Sequence, residues 1–202
     1  MSPLPLLALS YLIGAIPTSY ITGRLARGVD LREHGSGNLG ASNTFRVLGW
    51  KLAGPVLLLD LAKGWVPTYF FPLWDGAPHP DWALGYAAGA VVGHVFSIYL
   101  RFRGGKGVAT SAGALIALAP VAMSVALGLW LILLLMTRVV SIASIAAALA
   151  VPLVVIVAQG VTPVFWLSLV LAAFVIFAHR ANIGRLLRGE ELTFKRKERS
   201  RT

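Results

Sequence analysis

From Leu4 to Ile21 the chain runs without one charged residue, and it repeats the pattern along its length. Mostly apolar stretches recur at 52–71, 83–100, 140–158 and 162–178, and 108–136 is an uncharged run of 29 residues. A helix needs about 20 such residues to cross a hydrocarbon core of roughly 30 Å. In lipid the backbone must satisfy its own hydrogen bonds, which only helices and closed barrels do. Segments of this length prescribe an all-α, polytopic integral membrane protein. A mean hydropathy of +0.76 and a charged fraction of 13% agree, since ordinary soluble domains carry about 25% charged residues.

The run at 108–136 is too long for one simple span and contains Ala119-Pro120. Proline lacks the N–H that would continue a helix ladder, so the run divides there into two arms. The charges support the division. Arg24, Arg27, Arg32, Arg46 and Lys51 follow the first span, Arg101, Arg103 and Lys106 the third, and eight more cations lie beyond residue 178, whereas the 72–82 loop carries only Asp75 and Asp81. By the positive-inside rule the N-terminus lies outside, the 24–51 and 101–107 loops are cytoplasmic, and the 72–82 loop is external. A single crossing at 108–136 would put Arg138 and the basic tail outside; two arms return both to the cytoplasm. The expectation is seven transmembrane helices, N-terminus outside and C-terminus cytoplasmic, with 108–118 short enough to be re-entrant or tilted. Residues 1–202 read as one membrane-embedded domain with a basic tail from about 180. The first span lacks a positive n-region and reads as retained.

The formal charge of +10 would suggest nucleic acid in a soluble protein. Here 17 of the 18 basic residues fall on the inferred cytoplasmic side and only Lys63 lies within a span, so the charge belongs to topology and to anionic lipid heads. With no cysteine, disulfides, thiolate metal sites and cysteine nucleophiles are excluded. Gly85, Gly89 and Gly93 repeat every four residues, which lines one helix face with hydrogen and predicts close approach of a neighbouring helix.

Polar residues gather in three places. The first is His34-Gly35-Ser36-Gly37-Asn38-Leu39-Gly40-Ala41-Ser42-Asn43, followed by Thr44-Phe45-Arg46. Glycines let successive N–H groups turn into one concavity, and Ser and Asn add donors, so phosphate binding is favoured over a flexible linker. The second is Phe102-Arg103-Gly104-Gly105-Lys106-Gly107-Val108-Ala109-Thr110, ending where an apolar helix begins. Backbone donors, a lysine and a helix N-terminus make an oxyanion site. It is not a nucleotide-binding P-loop: Leu100 stands where the first glycine belongs, and Gly107 follows the lysine in place of Ser or Thr. The third is His179-Arg180-Ala181-Asn182-Ile183-Gly184-Arg185-Leu186, in which His179, Asn182 and Arg185 share roughly one helix face.

Within the spans, Asp60 and Lys63 stand three apart, where each charge costs about 2.5–3.5 kcal/mol on insertion scales. Mutual pairing and a place at the active site are both open readings. His94, Ser141 and Ser144 read as helix-to-helix hydrogen bonders. Histidine spacing gives no metal site, and Gly35-Ser36-Gly37 lacks the spacing of a serine-hydrolase elbow.

These segments, with Asp60-x-x-Lys63-Gly64 and Gly93-His94-x-Phe96-Ser97, resemble in order and separation those of the bacterial acyl-phosphate:glycerol-3-phosphate acyltransferases. The resemblance spans nearly the whole chain. It implies a multi-pass enzyme of the bacterial inner membrane, active site facing the cytoplasm. That enzyme moves a fatty acyl group from acyl phosphate to the sn-1 hydroxyl of glycerol 3-phosphate, releasing phosphate and lysophosphatidic acid. Its partners are these substrates and membrane lipids, with no cofactor, no metal, no nucleic acid and no obligate protein partner.

The residues then divide by role. Lys106, His179, Ser36 and Asn38 are the candidate catalytic set. Gly35, Gly37, Gly40, Asn43, Arg46, Gly104, Gly105, Gly107, Thr110, Asn182 and Arg185 are candidates for substrate binding, and Asp60, Lys63 and His94 for support. The N–H groups of 35–40 and 104–107 are expected to face the acyl-phosphate head group. An organic-anion channel fits less well, because the external loop holds only Asp75, His79 and Asp81. A CDP-alcohol phosphotransferase would need clustered aspartates for metal.

Overall fold

The computed structural model describes residues 2–76 and 81–193. They form ten helices and no strand among the described residues: α1 (Pro3–Ala15), α2 (Thr18–Arg27), α3 (Ala41–Leu48), α4 (Trp50–Trp74), α5 (Trp82–Val95), α6 (Val108–Leu118), α7 (Pro120–Thr137), α8 (Val140–Gln159), α9 (Pro163–Ala178) and α10 (Arg180–Leu187). Four stretches are long and apolar enough to cross a membrane: Pro3–Arg27, Trp82–Leu100, Pro120–Thr137 and Val140–Gln159. The α9 and α10 helices pass the same test only together, as a pair bent by 54°, and α6 is a shorter apolar helix. The basic residues Lys195, Arg196, Lys197, Arg199 and Arg201, with His79, lie outside the described residues.

The division at Ala119-Pro120 is present: α6 stops at Leu118 and α7 starts with Pro120 at its first position. A second proline break was not anticipated. The first predicted span, which holds the uncharged run from Leu4 to Ile21, is two helices, because Pro17 gives up a ladder hydrogen bond and holds Ile16 in an extended conformation (φ −55°, ψ 117°). The Ile16 carbonyl at the break accepts hydrogen bonds from Thr18 N and from Lys63 Nζ, both at 3.0 Å.

The 83–100 stretch is likewise shorter as a helix than predicted. It ends at Val95, with a single 3₁₀ turn at Ile98–Leu100. The glycine-rich loop folds back under the end of α5, and the N–H groups of Gly104 and Gly105 donate to the carbonyls of Val95 (2.9 Å) and His94 (3.1 Å). Ser97 Oγ donates to Ala15 O at 2.5 Å and ties this turn to α1.

Packing follows the small residues. Gly93 lies against the Tyr11 carbonyl and Gly89 against Leu7 and Ser10, so α1 and α5 meet along the predicted glycine face. A second close crossing joins α4 and α6, where Gly64 abuts the Thr110 backbone and Gly113 the Leu61 carbonyl. Any side chain at either position would collide with backbone. That crossing seats the start of α6 beside the middle of α4, well below the ends of the longer helices. An apolar core of Leu115, Ala119, Ala122, Ala126, Val151, Val155 and Leu171 joins α6, α7, α8 and α9 at their far ends.

Candidate active site

The loop between α2 and α3 is built on two buried side chains. Asp30 Oδ1 accepts from Arg32 N and Arg32 Nε, both at 3.0 Å, while Oδ2 receives Arg32 Nη2 at 2.6 Å and Arg24 Nη2 at 3.2 Å. The hydrogen bonds from Arg32, outweighing burial, lower its pKa to about 2. Asn43 is fully buried, and its Oδ1 accepts from Ser36 N at 2.8 Å while Nδ2 donates to Leu31 O and His34 O at 2.9 Å. Asn43 was predicted to bind substrate; its donors are spent on shaping the loop. Gly37 N is spent too, on His34 O. Gly35 (φ +63°) has no room for a Cβ beside Asn43 Oδ1. The loop delivers Ser36, Asn38 and Gly40 to a cavity wall and ends at the uncapped N-terminus of α3.

The second loop arrives from the other side. The prediction that N–H groups 104–107 bind phosphate needs correction at two positions, since Gly104 and Gly105 are committed to the end of α5. Gly105 packs against the Leu39 carbonyl, which brings the two loops together. Gly107, in the left-handed region (φ +75°), turns the chain into α6 so that Lys106, Gly107, Val108 and Ala109 line the same cavity. The first-turn N–H groups of α3 and of α6 therefore share one space, each carrying the partial positive charge of a helix start.

The third cluster closes the site. His179 sits at the bend between α9 and α10, 4% exposed, and its Nδ1–H donates to Val175 O at 2.7 Å, leaving Nε2 as the acceptor. Burial, reinforced by nearby Lys106, lowers its pKa to about 4. Lys106 Nζ donates to Asn182 Oδ1. Asn182 Nδ2 in turn donates to Glu191 Oε1 at 2.5 Å, which also receives Ser141 Oγ at 2.9 Å, while Arg185 Nε donates to Glu191 Oε2 at 2.8 Å. Burial lowers the Lys106 pKa to about 8, partly offset by Glu191. Burial opposes ionisation of Glu191, yet the hydrogen bonds from Asn182, Arg185 and Ser141 hold its carboxyl below the ordinary range. The Arg46 guanidinium donates to Leu192 O at 3.2 Å, and its buried Nε has no partner among the described residues.

These elements enclose a cavity of about 280 Å³. Its polar end is walled by Ser36, Asn38, Gly40, Arg46, Lys106 and His179, and by Asn182, Gly107, Asp60 and His94. Its other end is an apolar arm between α4, α6, α7, α8 and α9. Several predicted residues stand outside the wall. Thr110 is fully buried, Arg185 reaches the site only through Glu191, and Gly35, Gly37, Gly104 and Gly105 lie behind it. Lys63 pairs with Asp60 at 2.8 Å, and Thr18 Oγ1 donates to the same carboxylate at 2.5 Å. The sequence reading missed Ser111 and Glu191 and gave Ser141 and Ser144 only a packing role; all four line the cavity. The signal for Glu191 was an adjacent acidic pair, Glu190-Glu191, at the head of a basic run.

A cavity with helix starts and cations at one end and hydrocarbon at the other suits an amphiphilic anion. Comparison with known proteins agrees. Residues 4–189 match the family model for glycerol-3-phosphate acyltransferase. Proteins of that name from Chlorobaculum parvum and Fusobacterium nucleatum are 43% and 41% identical, with 96% and 94% of this chain covered and 98% and 96% of theirs. Two crystal structures of PlsY, an integral membrane glycerol 3-phosphate acyltransferase, superpose with TM-scores of 0.89 for its glycerol 3-phosphate form and 0.86 for its lysophosphatidic acid form. They are 37% and 36% identical to this chain, and each comparison covers 96% of it and 96% or 95% of the solved chain. The chain belongs to the glycerol-3-phosphate acyltransferase family.

Proposed function

We propose that this protein transfers a fatty acyl group from acyl phosphate to the sn-1 hydroxyl of glycerol 3-phosphate, giving 1-acyl-glycerol 3-phosphate and inorganic phosphate. It does so as a seven-segment protein of a bacterial inner membrane, N-terminus outside, with α6 and α7 as the two arms of one hairpin and the site open to the cytoplasm. The observation that carries this reading is the two-ended cavity, with the starts of α3 and α6, Lys106 and Arg46 at one end and an apolar arm at the other. Two phosphorylated substrates supply the anions such an end requires, and one acyl chain fills the arm.

The donor's phosphate lies at the start of α6 with Lys106, Ser36 and Asn38, where charge developing on the leaving group meets fixed positive dipoles. Arg46, Lys106 and Asn182 hold the glycerol 3-phosphate, and His179 Nε2 accepts a hydrogen bond from its hydroxyl. The hydroxyl oxygen attacks the acyl carbon, the bond from that carbon to the phosphate oxygen breaks, and phosphate leaves. A histidine with its pKa lowered to about 4 is a weak proton acceptor, whereas a phosphate monoester titrates near pH ~6. The proton therefore passes to a phosphate oxygen, and His179 orients the nucleophile. Positioning and charge neutralisation provide the rate.

The test is to incubate the purified protein with glycerol 3-phosphate and either palmitoyl phosphate or palmitoyl-CoA, and to identify the lipid product. Acylation at sn-1 supported by acyl phosphate alone is the expected result; acylation from the CoA ester alone overturns the donor. Lys106→Ala and His179→Ala each lower phosphate release by about 100-fold or more, and near wild-type turnover by both sinks the site.

A further inference from the structure

The apolar arm can be followed inward from its polar end by the helical rise of its walls. From Ser141 at the polar end, Val151 lies ten residues along α8, about 15 Å at the helical rise. From His179, Ser168 lies eleven residues back along α9, about 16 Å. Trp130 Nε1 donates to Ser144 Oγ at 3.2 Å and sets the register of α7 against α8, so Met123 and Val151, each seven residues deeper, reach one level. All three residues line the cavity. One turn further on, Ala119 and Val155 are fully buried in the core, with Val164 and Phe165 packed against it.

About two-thirds of the way along, at about 10 Å, the three helices each present an alanine to the cavity: Ala126, Ala147 and Ala172. The polar groups nearby are occupied, Ser144 by Trp130 and Ser168 Oγ by the Phe165 carbonyl at 2.7 Å. A passage kept open by alanines and stopped by Met123, Val151 and Ser168 has the form of a depth gauge. We propose that this layer sets the acyl-chain length the enzyme accepts: the alanine ring admits the chain, and the Met123–Val151–Ser168 floor limits it. The inference rests on the acyl-transfer reading above.

The experiment measures turnover with decanoyl, myristoyl, palmitoyl and stearoyl phosphate, and with the matching CoA esters, for the wild type, Ala147→Phe and Met123→Ala. Ala147→Phe blocks the arm above its floor and lowers the ratio of palmitoyl to decanoyl turnover about tenfold or more, since one misfitted methylene already costs that much in an apolar pocket. Met123→Ala deepens the arm and raises the ratio of stearoyl to myristoyl turnover about fourfold. Because both readouts are ratios, a general loss of folded enzyme leaves them unmoved. Unchanged ratios in both variants overturn the proposal. Ratios that shift as stated with CoA esters, with no turnover of acyl phosphates, uphold the gauge while overturning the donor.

Discussion

The two glycine-rich loops look alike as sequence and are used in opposite ways. In 34–40 the glycines serve conformation: Gly35 and Gly37 sit at positive φ, and the loop is held from within by Asn43 and Asp30. In 104–107 the first two glycines serve proximity, each pressed against a carbonyl of α5 or Leu39, and their N–H groups close the end of α5. A glycine-rich motif thus advertises backbone freedom without saying whether the N–H groups are offered to a ligand or already spent. What both loops share is where they end, at the start of a helix that faces the cavity.

The largest effect that separates the two belongs to Gly105→Ala. Its Cβ would collide with the Leu39 carbonyl and with His94 Nε2, so the loop must move and carry Lys106 with it. A displacement of about 1 Å at a catalytic group costs on the order of 100-fold in rate. The expected outcome is a loss of kcat/KM of that size or larger, measured as phosphate release. A variant retaining a third of wild-type kcat/KM would mean that the contact between the loops does not set the site.

Asn43→Ala comes next and strikes the first loop at its support. Three hydrogen bonds of a fully buried side chain disappear, each worth about 1 kcal/mol net, so the protein loses about 3 kcal/mol of stability. Thermal melting in detergent measures this. Asn43→Asp keeps the Ser36 acceptor but sets an oxygen against the Leu31 and His34 carbonyls, so it loses at least as much as Asn43→Ala.

Asn43 also marks how far the sequence can be read. Helical spans, the break at Pro120 and the glycine face of α5 are legible because each depends on local chemistry: apolar length, a missing N–H, a missing side chain. The three polar clusters are legible for the same reason, and they do converge. What local reading cannot give is which side of a wall a polar group faces. Asn43 and Thr110 look like ligands in the sequence, yet Asn43 spends its polar atoms within its loop and Thr110 is buried behind the cavity wall, whereas Glu191 and Ser141 look incidental and meet inside the site. The Pro17 break was harder to see because part of its support comes from Lys63, 46 residues away.

The second loop carries a titratable lysine in the cavity wall. Burial lowers the Lys106 pKa to about 8, so its charge is present below that pH and is lost as pH rises through it. The KM for glycerol 3-phosphate accordingly rises above pH about 8, and in Lys106→Arg, whose guanidinium stays charged, that rise disappears. An alkaline limb that survives the arginine substitution would assign the titration to another group.

The smallest effect sharpens the comparison most, because Gly37→Ala changes the first loop as Gly105→Ala changes the second. Gly37 has φ +71°, and its added Cβ would meet only the Arg32 carbonyl at 3.1 Å. The cost is conformational, about 1–2 kcal/mol for an L-residue in the left-handed region. That strain can be shed by small shifts, because Gly37 lies behind the cavity wall rather than between two backbones. The expected result is a modest drop in melting temperature with kcat/KM within about threefold, less than 1 kcal/mol of transition-state stabilisation. If Gly37→Ala instead falls as far as Gly105→Ala, the first loop is as tightly fitted as the second. Its glycines would then serve proximity to the substrate phosphate as well as conformation.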